Sequence, residues 1–313
     1  ASYSTNNFFK VNYEGEFNHA FSRRKDLLLD AYYFSDGYVA NFFGIGNEAP
    51  GQPEEGEIEG LDDDDILEFN RARRREILIN PMLRIRGKRN RFNIAIGPFF
   101  HSFDLDDETP DYALILNTPG IQQRVFDNQP FAGIRASLSS NNIALPVLSD
   151  NGLKYDLFAK QSWNLNEDRS TFKYGGNVSV YRMLTKAINV ATRIGFEHND
   201  GQPEYYQLAS MGGRTNYRAA RSERYRGNTL FYQNIDLRLM GFGFGKGETP
   251  TVGGFILGLD YGRVWLDGED SDVWHVGYGG GVWLAPLGAT IISLTYFQDD
   301  EDQRIAFAAG WPF

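Results

Sequence analysis

Apolar and polar residues alternate with a period of two along almost the whole chain, and the spacing of an amphipathic helix is nearly missing. Phe9, Val11, Tyr13 and Phe17 alternate with Lys10, Asn12, Glu14 and Glu16, which predicts a strand ending at the turn SRRKD. A second strand begins near Leu27, with Leu29, Ala31 and Tyr33 in register. Ile77, Ile79, Leu83 and Ile85 against Glu76, Asn80, Arg84 and Arg86 make a third, and GKRN turns into a fourth through Phe92, Ile94 and Ile96. Further strands are predicted around Phe131–Leu138, Leu153–Leu165 and Phe172–Leu184 and, after the turn LTKA, over Ile188–Glu197. Past a long connection, Ile235, Leu237 and Leu239 alternate with Asn234, Asp236 and Arg238. Val252–Leu266, Trp274–Leu284, Thr290–Gln298 and Arg304–Phe313 follow. In the last of these, Ile305, Phe307, Ala309, Trp311 and Phe313 are expected on one face. The count is thirteen strands from Phe8 onward, and Ala1–Thr5 reads as the upper tip of an earlier strand turning at Asn6-Asn7.

Two architectures produce such a pattern. In a soluble sandwich or barrel the apolar face points inward; in a membrane barrel it meets lipid and the charged face lines the interior. The strands are about ten residues or longer, the length a tilted membrane strand needs. Trp163, Tyr33, Trp265, Trp274, Tyr296 and Trp311 lie near predicted strand ends, where interfacial girdles belong. Short connections (SRRKD, GKRN, LTKA, APLGA) alternate with long ones (35–69, 104–128 and 200–227), as tight periplasmic turns alternate with extended outer loops. The exception is the short outer loop DDEDQ. The reading is all-β: a transmembrane antiparallel β-barrel, in which ring closure satisfies every backbone group without a helix.

Composition narrows the function. The chain has 313 residues, with aromatics at 15% and no cysteine, so disulfides and thiolate metal sites are excluded. No run of apolar residues is long enough for a transmembrane helix. A net charge of −10 argues against nucleic acid as a partner. No Gly-x-Ser-x-Gly, P-loop or metallophosphatase motif occurs, so no catalytic residue is assigned and the chain reads as a non-enzyme. His19, His101, His198 and His275 lack ligand spacing, and the acidic run Glu54–Asp65 lacks the ligand order of a calcium loop. Neither a metal nor a cofactor is expected.

One stretch stands apart from the strand pattern. Met211–Gly227, MGGRTNYRAARSERYRG, carries Arg214, Arg218, Arg221, Arg224 and Arg226 against the single acid Glu223 and opens on Gly212-Gly213. Guanidinium groups at this density need carboxylate or phosphate partners. GLDYGRVW, Gly258–Trp265, supplies a carboxylate: Asp260 shares a face with Gly258 and Gly262, which leaves room for something large to approach it. An Arg218–Asp260 ion pair would tuck the loop 200–227 into the barrel, with Gly212, Gly213, Arg221 and Arg224 supporting it. Pro312, which lacks a ladder donor, and Gly310, which packs nothing, predict poor pairing near Phe313.

The arginine loop, the strand GLDYGRVW and a terminal strand ending in Phe together resemble the C-terminal barrel of the BamA/TamA superfamily, the bacterial surface antigen family, which includes an enzyme-fused branch. NFFGIGN, Asn41–Asn47, resembles a recurring family segment. The likeness covers most of the chain and is strongest from Leu208 to Phe313. It implies a sixteen-stranded barrel whose sixth outer loop folds into the lumen, where an Arg-Gly-aromatic tip pairs with the aspartate of a Gly-x-Asp-x-Gly strand. Here Arg218 and Asp260 match, whereas Ala219 and Ala220 stand where glycine and an aromatic are expected, and Arg221 or Arg224 could substitute for Arg218. On that alignment the whole of 1–313 is one barrel domain lacking about its first three strands, since bacterial barrels have even counts.

The resemblance also implies insertion or translocation of proteins at the outer membrane of a Gram-negative bacterium, through a weak seam between first and last strands. Its partners would be outer-membrane lipids, client outer-membrane proteins and accessory lipoproteins. The seam residues here are Ile305, Phe307, Gly310, Trp311 and Phe313. Two rivals remain: a membrane anchor or exit pore for an upstream enzyme, phosphoesterase or patatin-like, and an anion-preferring porin with an open lumen.

Overall fold

The computed structural model describes residues 2–3, 9–51, 68–88, 92–105, 111, 113–119, 121, 123–143, 151–244, 251–288, 290–311 and 313. The acidic run Glu54–Asp65 and Pro312 lie outside the described residues. Among the described residues sixteen strands follow one another. They are β1 Ser2–Tyr3, β2 Phe9–Ser22, β3 Lys25–Asn41, β4 Arg71–Arg86, β5 Asn93–Leu105, β6 Gln129–Asn141, β7 Gly152–Asn164 and β8 Ser170–Thr185. Then come β9 Ile188–Gly201, β10 Ala209–Met211, β11 Tyr225–Gly227, β12 Thr229–Phe244, β13 Thr251–Trp265, β14 His275–Ala285, β15 Ile292–Gln298 and β16 Gln303–Ala309. Fourteen form one sheet in sequence order, β9 pairing with β12, and every neighbouring pair is antiparallel. β10 and β11 form a separate ribbon. The thirteen strands expected from Phe8 onward are thus present, and Ser2 and Tyr3 pair with Lys10 and Phe9 as the tip of one more.

Burial is inverted relative to a soluble protein. Asp26, Asp236 and Asp260 are wholly buried, as are Asn234 and Arg238, while Ile96, Ile134, Leu257 and Leu294 are each about half exposed. These apolar side chains form a continuous outer wall on successive strands, far larger than the apolar patch of a soluble monomer. Only a hydrocarbon solvent makes that arrangement stable, so the polar face is the lumen and the apolar face meets lipid. At the ends bearing the long connections, Tyr261 stacks on Trp274 at 4.5 Å and Trp265 meets Trp274 edge-on. With exposed Trp163 and Tyr296 they form one aromatic girdle. Tyr33 sits midway along β3 rather than at its end.

The last strand departs from the sequence reading. Alternation predicted a strand to Phe313 with Trp311 and Phe313 on the face of Ile305 and Phe307, but β16 stops at Ala309. Gly310 has φ +79, a left-handed conformation that turns the chain inward. Its N–H still donates to the Ile291 carbonyl at 2.8 Å. Beyond it Trp311 packs edge-on against Trp283 with the Arg238 guanidinium 4.0 Å over its ring, so it belongs to the lumen and not to a girdle. Phe313 is buried among Tyr181 and Ala191 and lies under Arg193 and Arg238. Period two alone could not distinguish a strand from a tail whose aromatic rings find guanidinium partners across the lumen. Ile305 and Phe307, by contrast, are 73% and 76% exposed, because β16 has no neighbour beyond it among the described residues.

Candidate functional site

Between β9 and β12 the chain enters the barrel. Tyr205–Gln207 forms a single turn closed by a reciprocal cap between Glu204 and Gln207, and Arg124 and Arg169 both bind the Glu204 carboxylate. Tyr205 is held edge-on by Phe42 and Phe103. The β10–β11 ribbon then carries the tip, residues 212–224. Gly212 and Gly213 have φ of +128 and +83, and a Cβ on Gly212 would lie 2.1 Å from the Arg221 carbonyl oxygen, so only glycine makes this turn. Gly212 N–H donates to Asn216 Oδ1, and Gly213 N–H to the Ala220 carbonyl.

The tip delivers Arg218 to a pair of carboxylates. Its Nε donates to both Asp260 oxygens at 3.1 and 2.9 Å, its Nη2 to Oδ1 at 2.6 Å, and its backbone N–H to Oδ2 at 2.7 Å. Nη1 reaches Asp236 Oδ1 at 2.7 Å, and the guanidinium plane lies 4.0 Å over the Phe297 ring. Asn234 Nδ2 donates to Asp260 and to the Asn216 carbonyl, each at 2.8 Å. Burial works against the charge on Arg218, but Asp236 and Asp260 outweigh it and raise its pKa, so the side chain stays a cation. Small residues make the approach possible. A Cβ on Gly258 would sit 2.8 Å from Arg218 Nη2, and one on Gly262 would sit 2.7 Å from Met211 Sδ. Fully buried Ala219 occupies the space over Gly277, where a Cβ would be 2.8 Å from its own.

The remaining arginines take separate partners. Arg221 stays at the surface and gives Asp302 a backbone N–H. Arg224 donates to the Ala49 carbonyl and to Glu301, both at 2.8 Å, and Arg226 pairs with Glu223. Arg214 holds the Ala309 and Gly310 carbonyls at 2.8 and 2.9 Å, while Arg304 of β16 donates back to the Ala220 carbonyl at 2.7 Å. Tyr217 donates to Asp299 at 2.8 Å and Tyr225 to Glu301 at 3.1 Å. Burial raises the pKa of Tyr217, and the Asp299 carboxylate raises it further, so its hydroxyl keeps the proton it donates. The loop is therefore fastened to the β15–β16 hairpin at both ends.

A second segment closes the mouth. Asn47, in NFFGIGN, is fully buried. Its N–H donates to Glu269, its amide to Ser271 Oγ and the Val273 carbonyl, and its Oδ1 accepts from Val264 N–H. Gly46 N–H donates to the Arg226 carbonyl, tying this segment to the plug. Asn47→Ala strands the buried Val264 N–H, and leaving such a group unpaired costs about 1–3 kcal/mol. The expected result is a lower thermal unfolding midpoint in detergent, read by the gel-mobility shift between folded and heated barrel. Along β2–β7 lies a polar cavity of about 450 Å³, lined by Glu16, Asp30, Arg84, Arg135 and Asp156 among others. Among the described residues no three His, Asp or Glu side chains converge as metal ligands.

Arg218 and Asp260 are thus in contact, and Gly258 and Gly262 flank the contact. Arg221 lies apart from the ion pair, and Gly310, Trp311 and Phe313 lie off the terminal strand. Sequence reasoning missed Asp236, Phe297, Tyr217, Asn47 and Gly277. Alternation had placed Asp236 on the polar face, but only the register of β12 on β13, with Asp236 opposite Gly258 and Asn234 opposite Asp260, sets it beside the same guanidinium.

No family model and no curated protein sequence matches the chain. Solved structures do match it. The crystal structure of BamA from Haemophilus ducreyi lacking POTRA domains 1-3 superposes with a TM-score of 0.65 at 13% identity, covering 97% of this chain and 62% of that one. CdiB from Escherichia coli superposes with a TM-score of 0.52 at 13% identity, covering 96% and 57%. The chain has the fold of these barrels. It spans about three fifths of the length of the structures it matches.

Proposed function

We propose that this chain is the membrane barrel of a protein translocator or insertase of a Gram-negative outer membrane. The observation that carries the reading is the plug: loop 202–228 occupies the lumen and is held there by Arg218 between Asp236 and Asp260. A barrel whose job is steady diffusion of small anions has no use for a lumen closed by its own loop, which weighs against the porin. The edge supports the same reading. β16 pairs with β15 over only Gln303–Ala309 before left-handed Gly310 turns the chain inward. A last strand this short offers little ladder to hold a seam, and a seam that opens can template an incoming strand. The shared fold with BamA and CdiB agrees with it.

The test uses the full-length precursor in liposomes. The expected result is low resting conductance together with faster folding of an added urea-denatured barrel protein, followed by its gel-mobility shift. High resting conductance with no effect on client folding would return the reading to a porin. The intact mass and N-terminal sequence of the precursor separate the remaining rival, since a hydrolase domain upstream would make this barrel an enzyme's anchor.

A further inference from the structure

The lipid-facing wall carries a charge where an apolar residue is expected. From β5 to β15 the described positions of that face hold Asp104, Asp200 and Arg263 at the rim with the long loops. Toward the other rim the described positions of the same strands hold a single charged side chain, Arg182 of β8. Its neighbours fix the face it takes. Tyr181 is 2% exposed and packs with Ala191 and Phe313 in the lumen, so Arg182, opposite Val190, points outward, and it is exposed. This is not an edge. β8 runs between β7 and β9, with Gly152 opposite Tyr181 on one flank and Val190 opposite Arg182 on the other, and Met183 N–H donates to Asn151 Oδ1 at 3.1 Å.

An arginine among valines and leucines is costly in hydrocarbon, and it is kept there when its charged end can leave the acyl chains. Arg182 lies three positions before Thr185, the last residue of β8, or about 10 Å of strand. Lys186 follows in the turn to β9 and is exposed as well. Among the described residues neither cation has an ion pair or a side-chain hydrogen bond. Beside them the wall is apolar: Val180 and Leu153 face each other across β7 and β8 and are each more than 40% exposed.

We propose that Arg182 and Lys186 bind the phosphate headgroup of an anionic phospholipid in the leaflet on that side, with an acyl chain lying along Val180 and Leu153. A guanidinium donates to phosphate oxygens in a planar fork, and the second cation matches a headgroup of net negative charge. A bilayer supplies phosphate at the depth where the arginine side chain ends. A carboxylate from an acidic protein would have to enter the acyl layer to meet it. The inference rests on the membrane reading of the wall, and the test separates failure of the two.

Val180→Trp reports the lipid beside Arg182, and Leu153→Trp repeats the measurement from β7. Val282→Trp serves as reference, because Val282 is exposed on the lipid face of β14 between Phe255 and Leu294, with no charge beside it. Each full-length variant is inserted into vesicles of phosphatidylcholine and phosphatidylglycerol, with one lipid brominated at a time, and quenching is corrected for the five native tryptophans. At Val180→Trp and Leu153→Trp, phosphatidylglycerol is expected to win over phosphatidylcholine by about fivefold in relative affinity for each cation in contact. No preference is expected at Val282→Trp.

The preference should fall as salt is raised, vanish in Arg182→Gln/Lys186→Gln and persist in Arg182→Lys. Equal quenching by both lipids beside Arg182, or a preference that survives the double neutralisation, overturns the proposal. An acidic protein as the true partner gives that same equal quenching. Absence of quenching by either lipid at all three positions would instead overturn the membrane reading itself.

Discussion

Replacing Arg218 with alanine is expected to open the barrel: conductance in planar bilayers rises to that of an unplugged lumen, and the unfolding midpoint falls. Arg218 is the cation that two fully buried carboxylates share. Without its side chain Asp236 keeps Arg238 at 3.2 Å, but Asp260 keeps only the amide of Asn234 and the backbone N–H of residue 218, with no cation. Removing one partner of a buried ion pair costs about 3–5 kcal/mol, because the remaining charge stays desolvated. The nearest relief is water, and water reaches Asp260 only when residues 212–221 leave the lumen. Arg218→Lys keeps the charge but loses the fork that spans both acids, so an intermediate conductance is expected. Parental conductance and midpoint in Arg218→Ala would mean that the plug is held by something other than this contact.

Gly258→Leu should produce a similar opening from the other side of the contact, with both acids and the arginine still present. A Cβ there would lie 2.6 Å from Phe297 Cζ and 2.8 Å from Arg218 Nη2. Phe297 cannot retreat, since it is 2% exposed and lies over Gly279, where a Cβ would come 2.7 Å from its Cγ. The leucine must therefore displace Arg218. Overpacking adds about 1–3 kcal/mol to the lost ion pair. Gly241→Ala is the control, as its added carbon meets nothing closer than 3.5 Å. Raised conductance in Gly258→Leu with parental conductance in Gly241→Ala is the expected pair of results. A closed Gly258→Leu barrel would show that Arg218 can dock by another route.

The wall of the barrel was legible residue by residue. A strand's side chains point alternately to two solvents, so one-dimensional order already separates lipid-facing Ile94 and Ile96 from lumenal Glu76 and Asn80. The motif residues Arg218 and Asp260 could be named because a local pattern of arginine, small residues and a glycine-flanked acid marks them without reference to distance. That loop 200–227 enters the lumen was legible, but the other contacts that hold it there were not. Asn47 meets Glu269, Ser271 and Val273 across more than 220 positions, Tyr217 meets Asp299 across 82, and Arg214 meets Ala309 across 95. Such partners are chosen by where the rolled sheet brings them, and no period encodes them. The same holds for Trp311 and Phe313, whose spacing was that of a strand. Their fate was settled by a left-handed Gly310 and by guanidinium groups waiting on the far wall, where an aromatic ring gains more than it would at the edge of a ladder.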